Sequence, residues 1–299
     1  MPVPQRGQVL VRMMAVSVNF RDTLIAAGKN FRGAVPEDTI PLSDGAGVVE
    51  VVGDGVSAWR PGDRVSSTFM PRWLAGGITR EKAASVTGTT IDGVLTQWKV
   101  FNADEIVRIP DYLSWEEAAT LPCTALTAWS VLNGPVPVRA GESVVVLGTG
   151  GVALFTAQFA SAMGARVIIT SSSQSKLERA LTLGATDAIN YADNPRWHES
   201  VLKLTDSNGA DHVVETHGPA TFETSIASCR MGGQVHVVGT QRNAQIDGSA
   251  ILRARICLRS VTVGSHEAYY QMNCCLTQHQ IRPVIDRTFA FEEAQDAFA

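Results

Sequence analysis

From residue 143 onwards, short apolar runs alternate with amphipathic segments of helical period. The apolar runs predict six strands: SVVVL, ARVIITSSS, DAINY, DHVVET, QVHVVGT and SVTVGS. The segments between them predict helices or long connections, among them Val152 to Met163 and KLERALTLGA, with Gly184 as its C-cap. This alternation predicts an α/β fold with a doubly wound parallel sheet, and a ligand at the carboxyl ends of the strands.

The first third of the chain has a different pattern, with short strands between Gly, Pro and Asp turns. GQVLVRMMAVSVN and GAGVVEVVGDGV have strand character, and RPGDRVSS predicts a turn into a further strand. A helix is expected at SWEEAATL, where Ser114 and Glu117 form a capping box. The residues from Tyr269 to Ala299 return to a mixed pattern, with a short strand VIDRTFAF and a helical EEAQDAFA.

The stretch SVVVLGTGGVA predicts a dinucleotide-binding turn. Gly148 permits the tight turn, Gly150 lets a pyrophosphate approach the backbone, and Ala153 allows close packing of helix on strand. The N–H groups that open this helix, at Gly151 and Val152, are expected to face the phosphates. A glycine turn between strand and helix can also be purely structural. The repeated strand and helix pattern favours the nucleotide.

The end of the second predicted strand selects the nucleotide. An NAD site needs an acidic residue there to hold the ribose hydroxyls. This chain offers Ser171, Ser172 and Ser173, followed by Lys176, and hydroxyls with a cation suit the 2′-phosphate of NADPH. The alternative is that the serines only form the loop and cap the next helix.

Composition and charge exclude several classes of function. The 299 residues allow two domains, and a net charge of −4 without a basic run argues against a nucleic-acid partner. No apolar stretch approaches the length of a membrane span, and five cysteines without a CxxC pair favour a reducing compartment. A cytoplasmic protein without a membrane partner is expected.

Four separated segments share a characteristic order and spacing: SVNFRD, PLSDGAGVVEVVGDGVSAWRPGDRV, LPCTALTAW and GTGGVA. Together they resemble the medium-chain dehydrogenase/reductases, in particular their zinc-free quinone oxidoreductase-like branch. The resemblance implies a GroES-like β-rich catalytic domain over residues 1–122 and 266–299 and a Rossmann domain over 123–265, with the active site between them. It also implies a homodimer, with the sheet edge near VTVGS as a candidate contact. Typical members extend further at both ends, so trimmed termini are expected.

Zinc enzymes of this superfamily bind catalytic metal through three positions that correspond here to Asn19, Ser43 and Cys123. A single thiol cannot supply the three protein ligands that catalytic zinc needs. The superfamily's structural zinc lobe, with its four cysteines, has no counterpart either. The resemblance therefore implies a protein that binds no metal, with Cys123 as a small buried residue.

The resemblance also implies the remaining site residues. Asn19 becomes the leading donor to a substrate oxygen, although an Asn that only closes a turn is the alternative. Asp44 is a further catalytic candidate, whereas the adjacent Arg21 and Asp22 more often form a structural ion pair. Thr127 is expected to touch the nicotinamide as a catalytic and cofactor-binding residue, or only to pack in a helix. The other expected cofactor contacts are Tyr191, Gly239, Gly264 and Ser265.

These features predict direct hydride transfer from NADPH to a quinone or an α,β-unsaturated carbonyl, with binding and orientation as the main sources of catalysis. One alternative is an NAD(P)-dependent alcohol dehydrogenase or carbonyl reductase acting on an aldehyde or ketone. Another is a weakly catalytic NADPH-binding sensor. A zinc alcohol dehydrogenase with displaced ligands is the last, and bound zinc would support it.

Overall fold

The fold is that of a computed structural model in which residues 1–30, 33–239 and 247–298 are described. The backbone divides into two compact units. The first comprises Met1–Leu126 together with Val263–Ala299, and the second comprises Thr127–Thr262. The predicted domain boundaries, after residues 122 and 265, differ from these by a few residues.

The first unit contains a five-stranded antiparallel sheet with the order β4-β1-β2-β3-β5. Its strands are β1 (Gln8–Ser17), β2 (Asp44–Val52), β3 (Arg64–Ser67), β4 (Trp98–Asn102) and β5 (Ile106–Arg108). Alternate residues of β1, Val9 and Val11, pack with Val49, Leu42 and Phe101 in one buried core. The β-rich first domain predicted from the sequence is confirmed.

Short helices complete this unit. They are α1 (Phe20–Ala26), α2 (Trp115–Ala119), a π-helix (Leu121–Ala125), α9 (His266–His279) and the 3₁₀ turns Lys82–Ala84, Phe291–Glu293 and Asp296–Phe298, while α3 (Leu126–Leu132) crosses into the second unit. The predicted capping box opens α2. The Ser114 N–H donates to Glu117 Oε2 over 2.8 Å, and the Glu117 N–H donates to Ser114 Oγ over 3.1 Å. Both otherwise orphaned N–H groups are thereby satisfied.

The second unit contains a six-stranded parallel sheet with the order β11-β10-β9-β6-β7-β8. Its strands are β6 (Ser143–Leu147), β7 (Arg166–Ser171), β8 (Asp187–Asn190), β9 (Ala210–Glu215), β10 (Cys229–Val237) and β11 (Cys257–Ser260). Its helices are α4 (Gly151–Ala162), α5 (Gln174–Thr182), α6 (Trp197–Leu204), α7 (Phe222–Ser228), which follows a 3₁₀ turn at Pro219–Thr221, and α8 (Gly248–Ala254). The strand order reverses between β6 and β9, and ligands of such sheets bind at that point.

The structure corrects two predictions at the end of the chain. The sixth strand is β11 and not 260–265, because the apolar Val261 and Val263 are buried in a loop whereas the half-exposed β11 forms the sheet edge. The strand predicted over 284–291 is wrong, since that segment pairs with no strand in the described part of the chain. Thr240, at the end of the predicted fifth strand, lies outside the described residues.

No helix among the described residues is both long enough and apolar enough to cross a membrane.

Candidate functional site

The glycine turn follows β6 directly and lies at the reversal of strand order. Gly148 has a φ of +76°, and its N–H lies 3.4 Å from Thr170 Oγ1. Gly150 is the N-cap of α4, and a Cβ placed on it would meet no atom within 4 Å. The first N–H groups of a helix have no acceptor within it, so those of Gly151 and Val152 are available at this open end of α4. This arrangement fits a phosphate.

The serine run occupies the carboxyl end of β7. Ser171 is buried, and its Oγ accepts a hydrogen bond from the Ser173 N–H over 3.2 Å. Ser173 stands at the N-cap of α5, but its hydroxyl accepts no helix N–H and lies 3.1 Å from Ser175 Oγ. Ser172 and Lys176 are exposed. The capping role considered for these serines is therefore not seen at Ser173.

Tyr191 and His217 also lie at the carboxyl ends of the parallel strands. Tyr191 follows β8 and packs partly against the core below it. His217 follows β9 and is exposed. The two rings meet edge to face, with centroids 6.2 Å apart and an interplanar angle of 88°. A Cβ on Gly148 would lie 2.7 Å from His217 Cε1, so the imidazole also borders the glycine turn.

Glu215 fixes the loop that carries His217. Its carboxylate is fully buried and accepts hydrogen bonds from the N–H groups of His217 and Gly218, at 2.8 and 3.1 Å. It also accepts from Thr221 Oγ1 at 2.8 Å and from Ser225 Oγ at 2.6 Å. Four donors satisfy a buried carboxylate without a cation, so this glutamate has a structural role.

Asn19 lies in a polar cluster of the first unit, at the N-terminus of α1. Its backbone N–H donates to Asp22 Oδ2 over 2.9 Å, and its side-chain Oδ1 accepts from Thr124 Oγ1 over 2.6 Å. The buried Nδ2 makes no hydrogen bond of acceptable geometry, although the amide is near enough to the Asp44 carboxylate to lower the pKa of that group. The backbone thus closes the turn, and the amide nitrogen of the side chain makes no hydrogen bond of acceptable geometry.

Asp44 is completely buried in the same cluster. Ser43 Oγ donates to its Oδ1 over 2.5 Å, and the Cys123 N–H donates to its Oδ2 over 2.9 Å. Burial raises the pKa of Asp44 to about 7, and the neighbouring Asp22 carboxylate adds to the rise against these hydrogen bonds. Asp44 therefore keeps its proton to near-neutral pH.

Arg21 and Asp22 form the ion pair expected of them, with 2.9 Å between Nη1 and Oδ1. Burial raises the pKa of Asp22, whereas the charge of Arg21 lowers it. The guanidinium also lies 4.8 Å from the centre of the Phe69 ring. Arg21 thus pairs with Asp22, whereas Asp44 favours its neutral form mainly because it is buried.

The residues at the three zinc-ligand positions, Asn19, Ser43 and Cys123, do not fit a catalytic zinc. Cys123 is only half-buried, so the expectation of a buried residue is partly wrong, but the protein around its sulfur raises the thiol pKa well above the usual value. A ligating cysteine must be a thiolate. Within the described ranges, no three His, Cys, Asp or Glu side chains gather in a metal-binding arrangement. The absence of metal from the protein remains a prediction.

The other predicted site residues lie at the ends of elements. Thr127 is buried, and its Oγ1 donates to the Thr262 carbonyl over 2.8 Å. Gly239 follows β10, where a Cβ would lie 2.6 Å from the Thr216 carbonyl oxygen. Gly264 and Ser265 precede α9 in the first unit, and Ser265 Oγ accepts from the Ala268 N–H over 3.1 Å. The hydroxyls of Thr127 and Ser265 are thus engaged within the protein.

Sequence reasoning missed three residues of these clusters: Thr124, Glu215 and His217. Glu215 and His217 stand at the carboxyl end of a predicted strand, which is the edge expected to bind the ligand, so their position was a usable signal. Thr124 contacts a residue 105 positions away, and no local pattern reveals such a contact.

Comparison with known proteins identifies the family. Residues 5–111 match the alcohol dehydrogenase GroES-like domain, and residues 151–278 match the family described as zinc-binding dehydrogenase. A zinc-type alcohol dehydrogenase-like protein of Schizosaccharomyces pombe is 39% identical over 99% of this chain and 88% of its own length. Human quinone oxidoreductase is 27% identical over 99% of this chain and 85% of its own length.

Two solved structures show the same fold. A Sinorhizobium meliloti protein classed with the alcohol dehydrogenases has a TM-score of 0.92 at 39% identity, covering 99% of this chain and 88% of its own. The crotonyl-CoA carboxylase/reductase AntE, solved in complex with NADP, has a TM-score of 0.83 at 26% identity over 100% of this chain and 84% of its own. The chain therefore belongs to the medium-chain dehydrogenase/reductase superfamily, in the branch of zinc-type alcohol dehydrogenase-like proteins and quinone oxidoreductases, and is an NAD(P)-dependent oxidoreductase.

Proposed function

We propose that the protein uses NADPH to reduce a quinone or an α,β-unsaturated carbonyl without a catalytic metal. The observation that carries the proposal is the segment after the carboxyl end of β7, where Ser172 and Lys176 are exposed and no acidic residue precedes Glu178 on α5. A carboxylate at this position would repel a 2′-phosphate, whereas hydroxyls and an ammonium group attract it. The NADP complex of AntE is consistent with this choice.

The nucleotide would be held mainly by the second unit. The pyrophosphate would be held by Gly148, Gly150, Gly151 and Val152. The adenosine ribose and its 2′-phosphate would be held by Ser171, Ser172 and Lys176. The further contacts that we propose for the cofactor are Tyr191, Gly239, Thr127 and the backbone of Gly264 and Ser265. When bound, NADPH supplies the hydride from its nicotinamide ring.

On the substrate side, we assign Asn19 as the hydrogen-bond donor. The unpaired Nδ2 can donate to the oxygen that gains negative charge during reduction. The Asp44 carboxyl group, whose pKa the Asn19 side chain lowers, would help to position the amide. A conjugated acceptor spreads the developing charge, so it needs less polarisation than a simple ketone does without a Lewis acid. A homodimer and a cytoplasmic location remain predictions.

A turnover assay tests the proposed function. Purified protein should oxidise NADPH in the presence of 1,4-benzoquinone or 3-buten-2-one, measured as loss of NADPH absorbance. Faster turnover with simple ketones, or with alcohols and NADP+ in the reverse direction, would favour the alternative of a carbonyl reductase or alcohol dehydrogenase. Tight binding of NADPH without turnover of either acceptor would favour a sensor.

Lys176→Ala tests the cofactor assignment. We expect it to raise the Kd for NADPH about tenfold, since an ammonium–phosphate hydrogen bond contributes roughly 1.5 kcal/mol or more. The Kd for NADH should change little, because NADH lacks the 2′-phosphate. Lys203→Ala, which removes an exposed lysine from α6, is the matched control. Equal losses for both nucleotides would contradict the phosphate assignment.

A further inference from the structure

Two buried histidines of the second unit take no part in the candidate site. His212 lies on β9 and His236 on β10, and they are 2% and 0% exposed. His212 Nδ1 lies 3.0 Å from His236 Nε2, while the ring centroids are 5.3 Å apart and the ring planes differ by 7°. Because the nitrogens are much closer than the centroids, the rings meet end to end in one plane and share an N–H···N hydrogen bond.

The strand register places both imidazoles on one face of the parallel sheet. His212 is in register with Gln234 of β10, which is two residues before His236. Residues two apart on a strand point to the same face, so the two rings are diagonal neighbours. Val213 and Val235 point to the opposite face and belong to the hydrophobic core there. Central strands of parallel sheets are normally apolar on both faces, so packing alone does not account for the pair.

Glu142 connects the pair to solvent. Its side chain is 25% exposed, and its Oε2 lies 3.2 Å from His212 Nε2 and accepts from the Arg139 N–H over 2.8 Å. A carboxylate only accepts, so His212 carries its proton on Nε2, and its Nδ1 accepts from His236 Nε2. His236 Nδ1 is then a buried acceptor without a hydrogen-bond partner among the described residues. The three side chains form one relay from the surface into the sheet.

This relay has room for one extra proton but not for two. With one proton added, one of the two facing nitrogens keeps its lone pair, so the N–H···N bond persists. With two added, both facing nitrogens carry hydrogen and the two cations repel each other, so the bond is lost. Burial lowers the pKa of His236 to about 3, with smaller contributions from the charges of His212 and Arg259. Burial also lowers the pKa of His212, although Glu142 opposes that fall.

The other charged groups that face the pair do not favour a second proton. Arg230 on β10 forms an ion pair with Asp211 on β9 over 2.5 Å, and their charges act on His212 in opposite directions. Arg259 on β11 is in register with His236, and its guanidinium donates to two carbonyl groups of α3. Helices α3 and α4 carry no titratable side chain. Among the described residues, only one carboxylate is therefore bonded to the pair.

We propose that Glu142, His212 and His236 form an acid-sensitive lock of the parallel sheet. While the pair holds at most one extra proton, its N–H···N bond joins β9 to β10. The unfolded chain takes up a proton on each histidine near the ordinary pKa of 6.5, whereas the closed lock excludes the second. The closed form therefore loses stability as the pH falls below 6.5, and acid opens the lock. The lock does not depend on the proposed nucleotide or substrate.

Hydrogen exchange of the full chain, measured by mass spectrometry at pH 7.5 and at pH 5.0, tests the lock. At pH 5.0, a histidine that takes up its proton only in the open form favours opening about 30-fold. His236→Gln removes this titration and keeps an amide that can donate to His212. After correction for intrinsic exchange rates, the loss of protection in β9 and β10 on acidification should be about 30-fold larger in the unchanged protein than in this variant. Contributions of other groups, such as Asp44, cancel in the comparison.

A control variant and a second measurement make the outcome decisive. His279→Gln, which replaces an exposed histidine of α9, should lose as much protection on acidification as the unchanged protein does. Nitrogen NMR of the unchanged protein at pH 7.5 should show both His212 and His236 protonated on Nε2, and this result does not depend on the folding of any variant. Equal acid losses in the unchanged protein and His236→Gln would overturn the lock. A His236 ring with its proton on Nδ1 would overturn it as well.

Discussion

Asp44→Asn is expected to abolish a loss of stability that the unchanged protein shows as the pH rises from about 4 to about 7. The pKa of this carboxyl group rises from 3.8 to about 7 in the folded chain because it is buried. Between these values the native state binds more protons than the unfolded state, so the free energy of unfolding falls with rising pH. The shift in pKa corresponds to a loss of about 4 kcal/mol in the free energy of unfolding, which is complete at pH values above the folded-state pKa.

Urea unfolding at pH 5 and at pH 8 measures this effect. The asparagine variant has the same shape and no charge, so its stability should exceed that of the unchanged protein at pH 8 and depend less on pH. Asp63→Asn is the control of opposite sign, because its hydrogen bond from Arg108 lowers the pKa of Asp63. That variant should be less stable at neutral pH. If the unfolding free energy of Asp44→Asn depends on pH as strongly as that of the unchanged protein, then the pKa of Asp44 is not raised by burial.

Asn19→Ala is expected to lower kcat for an enone or quinone by about 100-fold or more, the usual cost of losing one donor to a developing negative charge. The Kd for NADPH should stay the same, because the expected loss concerns a group that acts on the substrate oxygen. Steady-state kinetics combined with calorimetry separates the two quantities. Unchanged turnover would return Asn19 to a turn-forming role, which its backbone bond to Asp22 already serves.

Thr124→Val is the matched variant for this experiment. It removes the hydroxyl that holds Asn19 Oδ1 and leaves the amide donor itself in place. We expect a smaller fall in kcat than for Asn19→Ala, since the donor would be less well oriented but present. A larger fall than for Asn19→Ala would show that Thr124 itself acts on the substrate.

The parallel sheet could be predicted from the sequence because its central strands are buried on both faces. Val144, Val146 and Ile168 belong to continuous apolar runs for that reason. Strand β11 was not predicted because its sequence, CLRS, lies at the edge of the sheet and contains no continuous apolar run. Helix α9 was missed as well, since its residues are nearly as polar as apolar and only Tyr269, Met272 and Leu276 are buried.

The candidate site was predictable only where local sequence determines it. The glycine turn is a contiguous motif, and the left-handed Gly148 is part of its signature. The pKa of Asp44 is raised mainly by burial and further by the Asp22 carboxylate that α1 brings close, and it is lowered in part by a hydrogen bond from Cys123, 79 positions away. Contacts of this kind arise from tertiary packing. The pairing of His217 with Tyr191 depends on strand order, which hydrophobic patterns do not specify.

The hydrogen bond from Thr127 to Thr262 joins the first and last residues of the second unit. The second unit, which we propose to bind the nucleotide, therefore leaves and rejoins the rest of the polypeptide at adjacent points, the geometry in which an inserted domain is best tolerated. This makes the segment exchangeable as a single block: a homologous stretch could be grafted between these two threonines with one junction to preserve. Coenzyme choice could then evolve separately from the chemistry around Asn19.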